Sequence, residues 1–257
     1  MRVLLTNDDG IESKGLIRLA RVIWEVFPDT FVVAPSEDKS GSGAAIGPLL
    51  HDGNVIDYDR VELPGLSGLS AYAIDGTPAL GVILSNLGAF GDPPDMVVSG
   101  INPGSNTGKS VLHSGTAGAA LTAASFGITG VAVSIVARGR INWDTAARLG
   151  AVVASRATLL PKGVMINLNV PNLPMDEIKD IVPAKLAHFG SLRTELKEAQ
   201  PGKLHVLLKS TSDSDAGEAT DVTLLRDNYA TITVVSGLRV IDSVAFSRAV
   251  VDEISGA

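Results

Sequence analysis

The sequence predicts an α/β fold: a mostly parallel sheet with helices on both faces, followed by a β-rich C-terminal arm. Strand-like and helix-like segments alternate through the first half, with strands near 2–6 and 30–34 flanking a helix near 15–27. Such alternation yields a parallel sheet with covering helices. Three apolar strands also end in loops rich in small, oxygen-bearing residues, where an open α/β sheet forms its ligand crevice. Beyond Pro174 the alternation gives way to separate strand-like runs with polar connections.

The first strand is entered directly at Arg2 and runs to Thr6. In the helix that follows, Leu16, Leu19, Ala20, Ile23 and Phe27 recur at helical spacing and leave Arg18, Arg21 and Glu25 toward water. Asp29 supplies the turn into the strand Thr30 to Ala34, and a Gly/Ser-rich loop spans Pro35 to Gly47. Val55 to Leu63 and Ser70 to Ile74 read as a hairpin. Thr77-Pro78 opens a helix reaching Leu87, since proline is tolerated at the first helical position. A buried strand over Asp95 to Ser99 leads into a loop from Gly100 to Leu112 and an Ala-rich helix starting near Ser114. Val131 to Val136 is a strand, Trp143 to Leu160 a helix, and Met165 to Val170 a strand closed by Pro171. Ile181 to Ala187, Leu204 to Lys209 and Val222 to Leu225 read as further strands, Ser210 to Ala219 as a loop, and Asp242 to Ile254 as a closing helix.

A chain of 257 residues can bury a large core. The formal net charge of −7 comes without a dense Lys/Arg stripe, which argues against a duplex nucleic-acid surface. The absence of cysteine removes disulfides, thiolate metal sites and cysteine nucleophiles, and agrees with a reducing compartment. No uncharged run reaches the ~18 residues of a membrane span. A cytoplasmic protein without a membrane partner is expected, with chemistry drawn from oxygen and nitrogen ligands.

Asn7-Asp8-Asp9-Gly10 leaves two adjacent carboxylates at the end of the first strand. Side chains on a regular strand alternate faces, so both acids reach one ion only if the backbone turns there, which Gly10 permits. The same tetrapeptide is also ordinary turn chemistry. Ala34 to Gly43 opens a second strand end into Ser and Gly residues that can offer a hydroxyl to a cation or N–H groups to a phosphate. Ser99 to Gly108 follows a third; Asn102 there adds a neutral carbonyl oxygen, which complements two carboxylates around a hard cation without added repulsion. His113 to Ala120 places small residues and Ser114 at a helix entrance, where free N–H groups favour an anion. Three converging strand ends with oxygen-rich loops, and a fourth loop that begins a helix, together indicate a metal-plus-phosphate site. Of the four histidines, only His113 lies near it.

N-D-D-G near residue 8, A-P-x-x-x-x-S-G near 34, G-T-P at Gly76 to Pro78, V-V-S-G-I-N-x-G-x-N near 97 and S-G-T near 114 together resemble the SurE survival-protein family. The resemblance is strong in the first half and weaker over Ala219 to Thr233. It implies a Rossmann-like core over 1–174 and an extended or hairpin-containing oligomerisation segment over 175–241, with a C-terminal helix over 242–257. It also implies a homodimer or dimer of dimers. The activity implied is a metal-dependent phosphomonoesterase acting on nucleoside 5′-monophosphates and, by extension, 3′-monophosphates. Asp8, Asp9, Ser40 and Asn102 are the implied ligands of one divalent cation per subunit. Asn106, Ser114, Gly115 and Thr116 match the phosphate-facing loop, with Asn7 and Gly41 nearby. The chain departs from the family pattern at Ala79-Leu80-Gly81, at His113 where a Tyr is common, at Ser13-Lys14-Gly15 and at Thr233-Val234.

Hard oxygen ligation favours Mg²⁺, Mn²⁺ or Ca²⁺ over zinc. Asp8 and Asp9 are the candidate catalytic residues, with water the preferred nucleophile because a carboxylate committed to a cation attacks poorly. Two alternatives stand beside this reading. An aspartyl-phosphate phosphatase would use one of the acids as nucleophile, although that class usually has acids two apart. A non-catalytic nucleotide or metal sensor would bind without turnover.

Overall fold

The computed structural model describes residues 1–47, 55–190, 192–200, 203–210 and 218–236. Six strands run parallel: β1 (Val3–Thr6), β2 (Thr30–Pro35), β4 (Ser70–Ile74), β5 (Met96–Pro103), β6 (Thr129–Ile135) and β7 (Val164–Val170). They belong to a nine-stranded sheet ordered β3-β4-β2-β1-β5-β6-β7-β11-β8. At one edge β3 (Tyr58–Val61) pairs antiparallel with β4, as the hairpin expectation had it. At the other edge β11 (Ala230–Ser236) runs antiparallel to β7, and β8 (Ile181–Pro183) pairs parallel to β11.

The alternation of side chains along each strand divides the core into two layers. Val3, Leu5, Val98 and Val133 pack with Leu16, Leu19 and Ile23 of α1 (Lys14–Val26) and with Ala146, Ala147 and Leu149 of α4 (Trp143–Arg156). Leu4, Phe31, Val33 and Val97 face the opposite way, onto Val82 of α2 (Pro78–Asn86) and Ala119 and Ala123 of α3 (Gly115–Ser125). Each of three helices starts where a side-chain oxygen satisfies an otherwise unpaired N–H. Ser13 accepts from Leu16 N at 3.3 Å, Thr77 from Leu80 N at 3.2 Å and Ser114 from Ala117 N at 3.1 Å. None of the described helices is long and apolar enough to cross a membrane.

Several elements differ from the sequence expectation. β5 continues through Pro103 instead of ending at Ser99, pairing with β6 as far as Ile135 across a register shift between Gly100 and Asn102. Asn102 therefore stands on a strand end, not in a free loop. Val222 to Leu225 is helical: α5 (Asp221–Arg226) opens with a reciprocal capping box between Thr220 and Thr223, which overrides the strand preference of the apolar run. β9 (Leu192–Gln200) had no counterpart in the sequence reading; it pairs antiparallel with β10 (Lys203–Ser210) in a two-stranded sheet of its own. Beyond residue 174 the chain thus divides, with β8 and β11 extending the main sheet and β9–β10 forming a separate hairpin. The helix expected over 242–257 and most of the loop expected over 210–219 lie outside the described residues.

Candidate active site

The carboxyl ends of β1, β2 and β5 meet the start of α3 around a cleft of about 470 Å³. Asp8, Asp9, Asp38, Ser40, Gly41 and Asn102 line it, and Asn106, Ser110, His113 and Ser114 complete most of the remaining wall. Eight of the residues singled out in the sequence are therefore brought together: Asp8, Asp9, Ser40, Gly41, Asn102, Asn106, His113 and Ser114.

The β1 end turns sharply because Gly10 takes φ +96°, a conformation open to glycine at little steric cost. Asn7 fixes that turn from inside and is not on the cleft wall. Fully buried, it donates through Nδ2 to Gly10 O at 3.0 Å and to Ser13 Oγ at 2.7 Å, tying the strand end to the cap of α1. Thr116 and Gly115 also stand behind the cleft. Thr116 Oγ1 donates to Asp8 Oδ1 at 2.5 Å, and the N–H groups of Gly115 and Thr116 face the same carboxylate. A side chain on Gly115 would place its Cβ 2.7 Å from that of Asp8. The helix terminus read in the sequence as an anion site is directed at the protein's own Asp8.

Asp38, Ser110 and Pro103 are lining residues that the sequence reading did not single out. Asp38 accepts from Ser40 N at 2.7 Å, and the Ser40 hydroxyl together with that N–H holds its carboxyl below the usual range. A Ser40 hydroxyl that donates to Asp38 keeps its lone pairs free for a cation.

The electrostatics are lopsided. Asp8, Asp9 and Asp38 contribute three carboxylates, and no lysine or arginine is among the described lining residues. Lys39, next in sequence, is drawn away by Glu37 at 2.5 Å and Asp75 at 3.9 Å. Burial, then the charges of Asp8 and Asp38, push the Asp9 carboxyl up to about 7. Burial likewise raises Asp8, against the Thr116 hydrogen bond. Asp9 Oδ2 is buried without a hydrogen-bond partner. An unpartnered buried carboxylate oxygen in a field of like charge is the electrostatic complement of a cation. No three histidine, aspartate or glutamate side chains among the described residues form a metal-holding group by themselves. A cation here would draw charge from Asp8 and Asp9 and further ligands from neutral oxygens, Ser40 and Asn102. The Asn102 Nδ2 donates to Gly104 O at 2.6 Å, which orients its amide and leaves Oδ1 as the free donor atom for a metal.

The family described as "Survival protein SurE" matches residues 3–193 of the chain. Two relatives named 5′-nucleotidase SurE are closely comparable in length. The one from Nitrosomonas europaea is 35% identical over 239 residues, covering 91% of this chain and 92% of its own. The one from Pseudomonas fluorescens is 36% identical over 237 residues, covering 91% of each. The crystal structure of SurE protein from Aquifex aeolicus superimposes with a TM-score of 0.77 at 25% identity, covering 99% of this chain and all of that one. Matched by that family over residues 3–193 and by relatives at 35–36% identity over 91% of its length, the chain belongs to the SurE family.

Proposed function

We infer that the chain is a nucleotidase, a phosphomonoesterase converting nucleoside 5′-monophosphates to nucleoside and phosphate, and that it works with one divalent cation per subunit. The relatives named 5′-nucleotidase support the reaction. The observation that carries the cation is the excess of carboxylate in the cleft, with Asp9 pushed up to about 7 and one of its oxygens unpartnered. Asp8, Asp9, Ser40 and Asn102 would hold the ion, and this oxygen set suits Mg²⁺, Mn²⁺ or Ca²⁺. When bound, such an ion supplies positive charge against the phosphoryl oxygens and lowers the pKa of an attacking water.

The chain's own residues do the rest. Thr116 holds Asp8 in one orientation, and Asp38 holds the Ser40 hydroxyl. Gly41, Asn106 and Ser114 line the same cleft and can donate hydrogen bonds to phosphoryl oxygens as charge shifts in the transition state. Water is the favoured nucleophile, because Asp8 is already engaged by Thr116 and the start of α3. Action on 3′-monophosphates is a further reading of the same cleft. We assign the subunit contact of a homodimer, or dimer of dimers, to the β9–β10 hairpin. There Leu204 and Val206 are 64% and 61% exposed and share one face of a strand. A cytoplasmic location rests on the cysteine-free composition.

The experiment is phosphate release from a panel of 5′- and 3′-nucleoside monophosphates by metal-stripped protein, before and after Mg²⁺, Mn²⁺ or Ca²⁺ is restored. Turnover that returns with metal is expected. Saturable nucleotide binding with no phosphate released under any metal would overturn the reading in favour of a sensor.

Helix α3 seats closely on the Ser40 loop. A Cβ at Gly118 would strike the carbonyl oxygen of Gly43. Gly118→Ala therefore has to push the loop carrying Ser40 and Gly41 off the helix. Mn²⁺ affinity, titrated calorimetrically, is expected to fall roughly 10- to 100-fold while the helix content stays intact. Unchanged affinity would show that Ser40 contributes nothing to the ion.

A further inference from the structure

Strand β7 reads Val-Met-Ile-Asn-Leu-Asn-Val, with Asn167 and Asn169 fully buried in an otherwise apolar strand. Asparagine is a poor strand former, and a buried amide is costly unless its hydrogen bonds are made. Both side chains point to the α3 face of the sheet, two residues apart, and both end on one residue. Asn169 Oδ1 accepts from Asn106 N at 2.8 Å, and Asn169 Nδ2 donates to Asn106 O at 3.0 Å. The side-chain amide thus pairs with both backbone groups of Asn106, much as a neighbouring strand would. Asn167 Nδ2 adds a second donor to Asn106 O at 2.8 Å. From β6, Ser134 Oγ accepts from Asn106 Nδ2 at 2.9 Å.

We propose that Asn167 and Asn169 are positioning residues for the phosphate-facing side chain of Asn106, and that Ser134 pairs with whichever end of its amide faces away from the cleft. This rests on the nucleotidase reading, in which Asn106 meets the phosphoryl group. The three amide contacts hold the Asn106 backbone so that its Cβ projects from a fixed point. The side chain, 8% exposed, then reaches the cleft it lines. The Ser134 hydroxyl can donate as well as accept, so it satisfies the Asn106 amide in either orientation. A phosphoryl oxygen selects the orientation with Nδ2 outward and Oδ1 on Ser134. Two strands of the core are thereby connected to the chemistry by hydrogen bonds alone, since neither Asn167 nor Asn169 lines the cleft. Holding a reacting group to within a fraction of an ångström is worth on the order of 10²-fold in rate.

The test is a double-mutant cycle with two readouts: kcat/KM for a nucleoside 5′-monophosphate, and the affinity for inorganic phosphate by calorimetry in the presence of Mg²⁺. Asn169→Ala is expected to lower kcat/KM roughly 10- to 100-fold and to weaken phosphate binding. In an Asn106→Ala background the same substitution is expected to change either readout by less than about threefold, because the side chain it positions is gone. Asn167→Ala removes one donor and leaves the Asn169 pair, so a smaller loss of several-fold is expected; this variant serves if Asn169→Ala does not fold. Equal losses in both backgrounds, or thermal destabilisation with kcat/KM unchanged, would overturn the proposal and leave the asparagines a purely structural role. A wild-type protein that releases no phosphate with any metal overturns the nucleotidase reading instead, and phosphate affinity alone then decides the coupling.

Discussion

Asp9→Asn is expected to remove most of the turnover and, in the metal-free protein, to raise the melting temperature. The substitution keeps the size of the side chain and removes its charge. If Asp9 is a ligand of the proposed ion, its loss is expected to lower kcat by roughly 10³-fold or more. The stability effect follows from the raised carboxyl. In the folded chain Asp9 titrates at about 7 instead of 3.8. A carboxyl raised by folding contributes its full stability below the unfolded value, and that stability is lost as pH rises through the folded one. Wild type and variant should therefore melt together near pH 4 and separate with the variant higher by pH 8. Saturating divalent cation reverses the order at pH 8, because it binds the ionised wild-type site and not the amide. Melting curves in chelator and in Mn²⁺ across this range check both parts. Parallel curves at every pH would remove the account of Asp9 as raised by burial and like charge, and retained turnover would remove Asp9 from the chemistry.

Asp221→Ala is expected to cost about 2–5 kcal/mol of stability, from two buried N–H groups left unpaired. Asp221 is fully buried as the first residue of α5. Its Oδ2 accepts from Gly108 N at 2.7 Å and its Oδ1 from Ala187 N at 2.9 Å. One carboxylate thus joins the turn bearing Ser110 and His113 to the segment that leads into β9. Burial raises the carboxyl while these N–H groups oppose it. The melting temperature should fall by roughly 5–15 °C. Asp221→Asn should be intermediate, since its amide can accept from one N–H but presents a donor to the other. A change within the error of the measurement for Asp221→Ala would show that solvent or backbone rearrangement satisfies both groups.

Much of the site was legible because its parts sit where apolar runs stop. Asp8, Asp9, Ser40 and Asn102 each follow or close a strand, and a parallel sheet brings such ends together. The partners of those residues were harder to read. Asp38 lies in the polar run Ser36 to Ser40, and nothing in that composition separates a carboxylate on the cleft from a solvated one. Gly115 and Thr116 were legible as important but not in their task, because the approach of Asp8 to the start of α3 is set by the packing of β1 on β5. Asn167 and Asn169 did carry a signal, two amides in a buried strand, which acquires meaning only when Asn106 is seen beside them. In the C-terminal half, the Leu and Lys/Glu content of 192–200 suits a helix as well as a strand, and pairing with β10 decides. At Val222 the apolar run alone suggests a strand, and the capping box at Thr220 decides for a helix.

The placement of β11 between β7 and β8 has a consequence for how the chain is made. β8 precedes β11 in sequence yet reaches the sheet only through it. On a ribosome, β7 emerges early with an open edge, and β8 follows with no strand to pair with. Neither can settle until Ala230 to Ser236 has cleared the exit tunnel and slotted between them. Throughout that interval an apolar strand edge is exposed to other nascent chains. Slow translation between Val170 and Ala230 would therefore prolong the exposure and lower the yield of native protein, even though every residue lining the candidate cleft has already been synthesised.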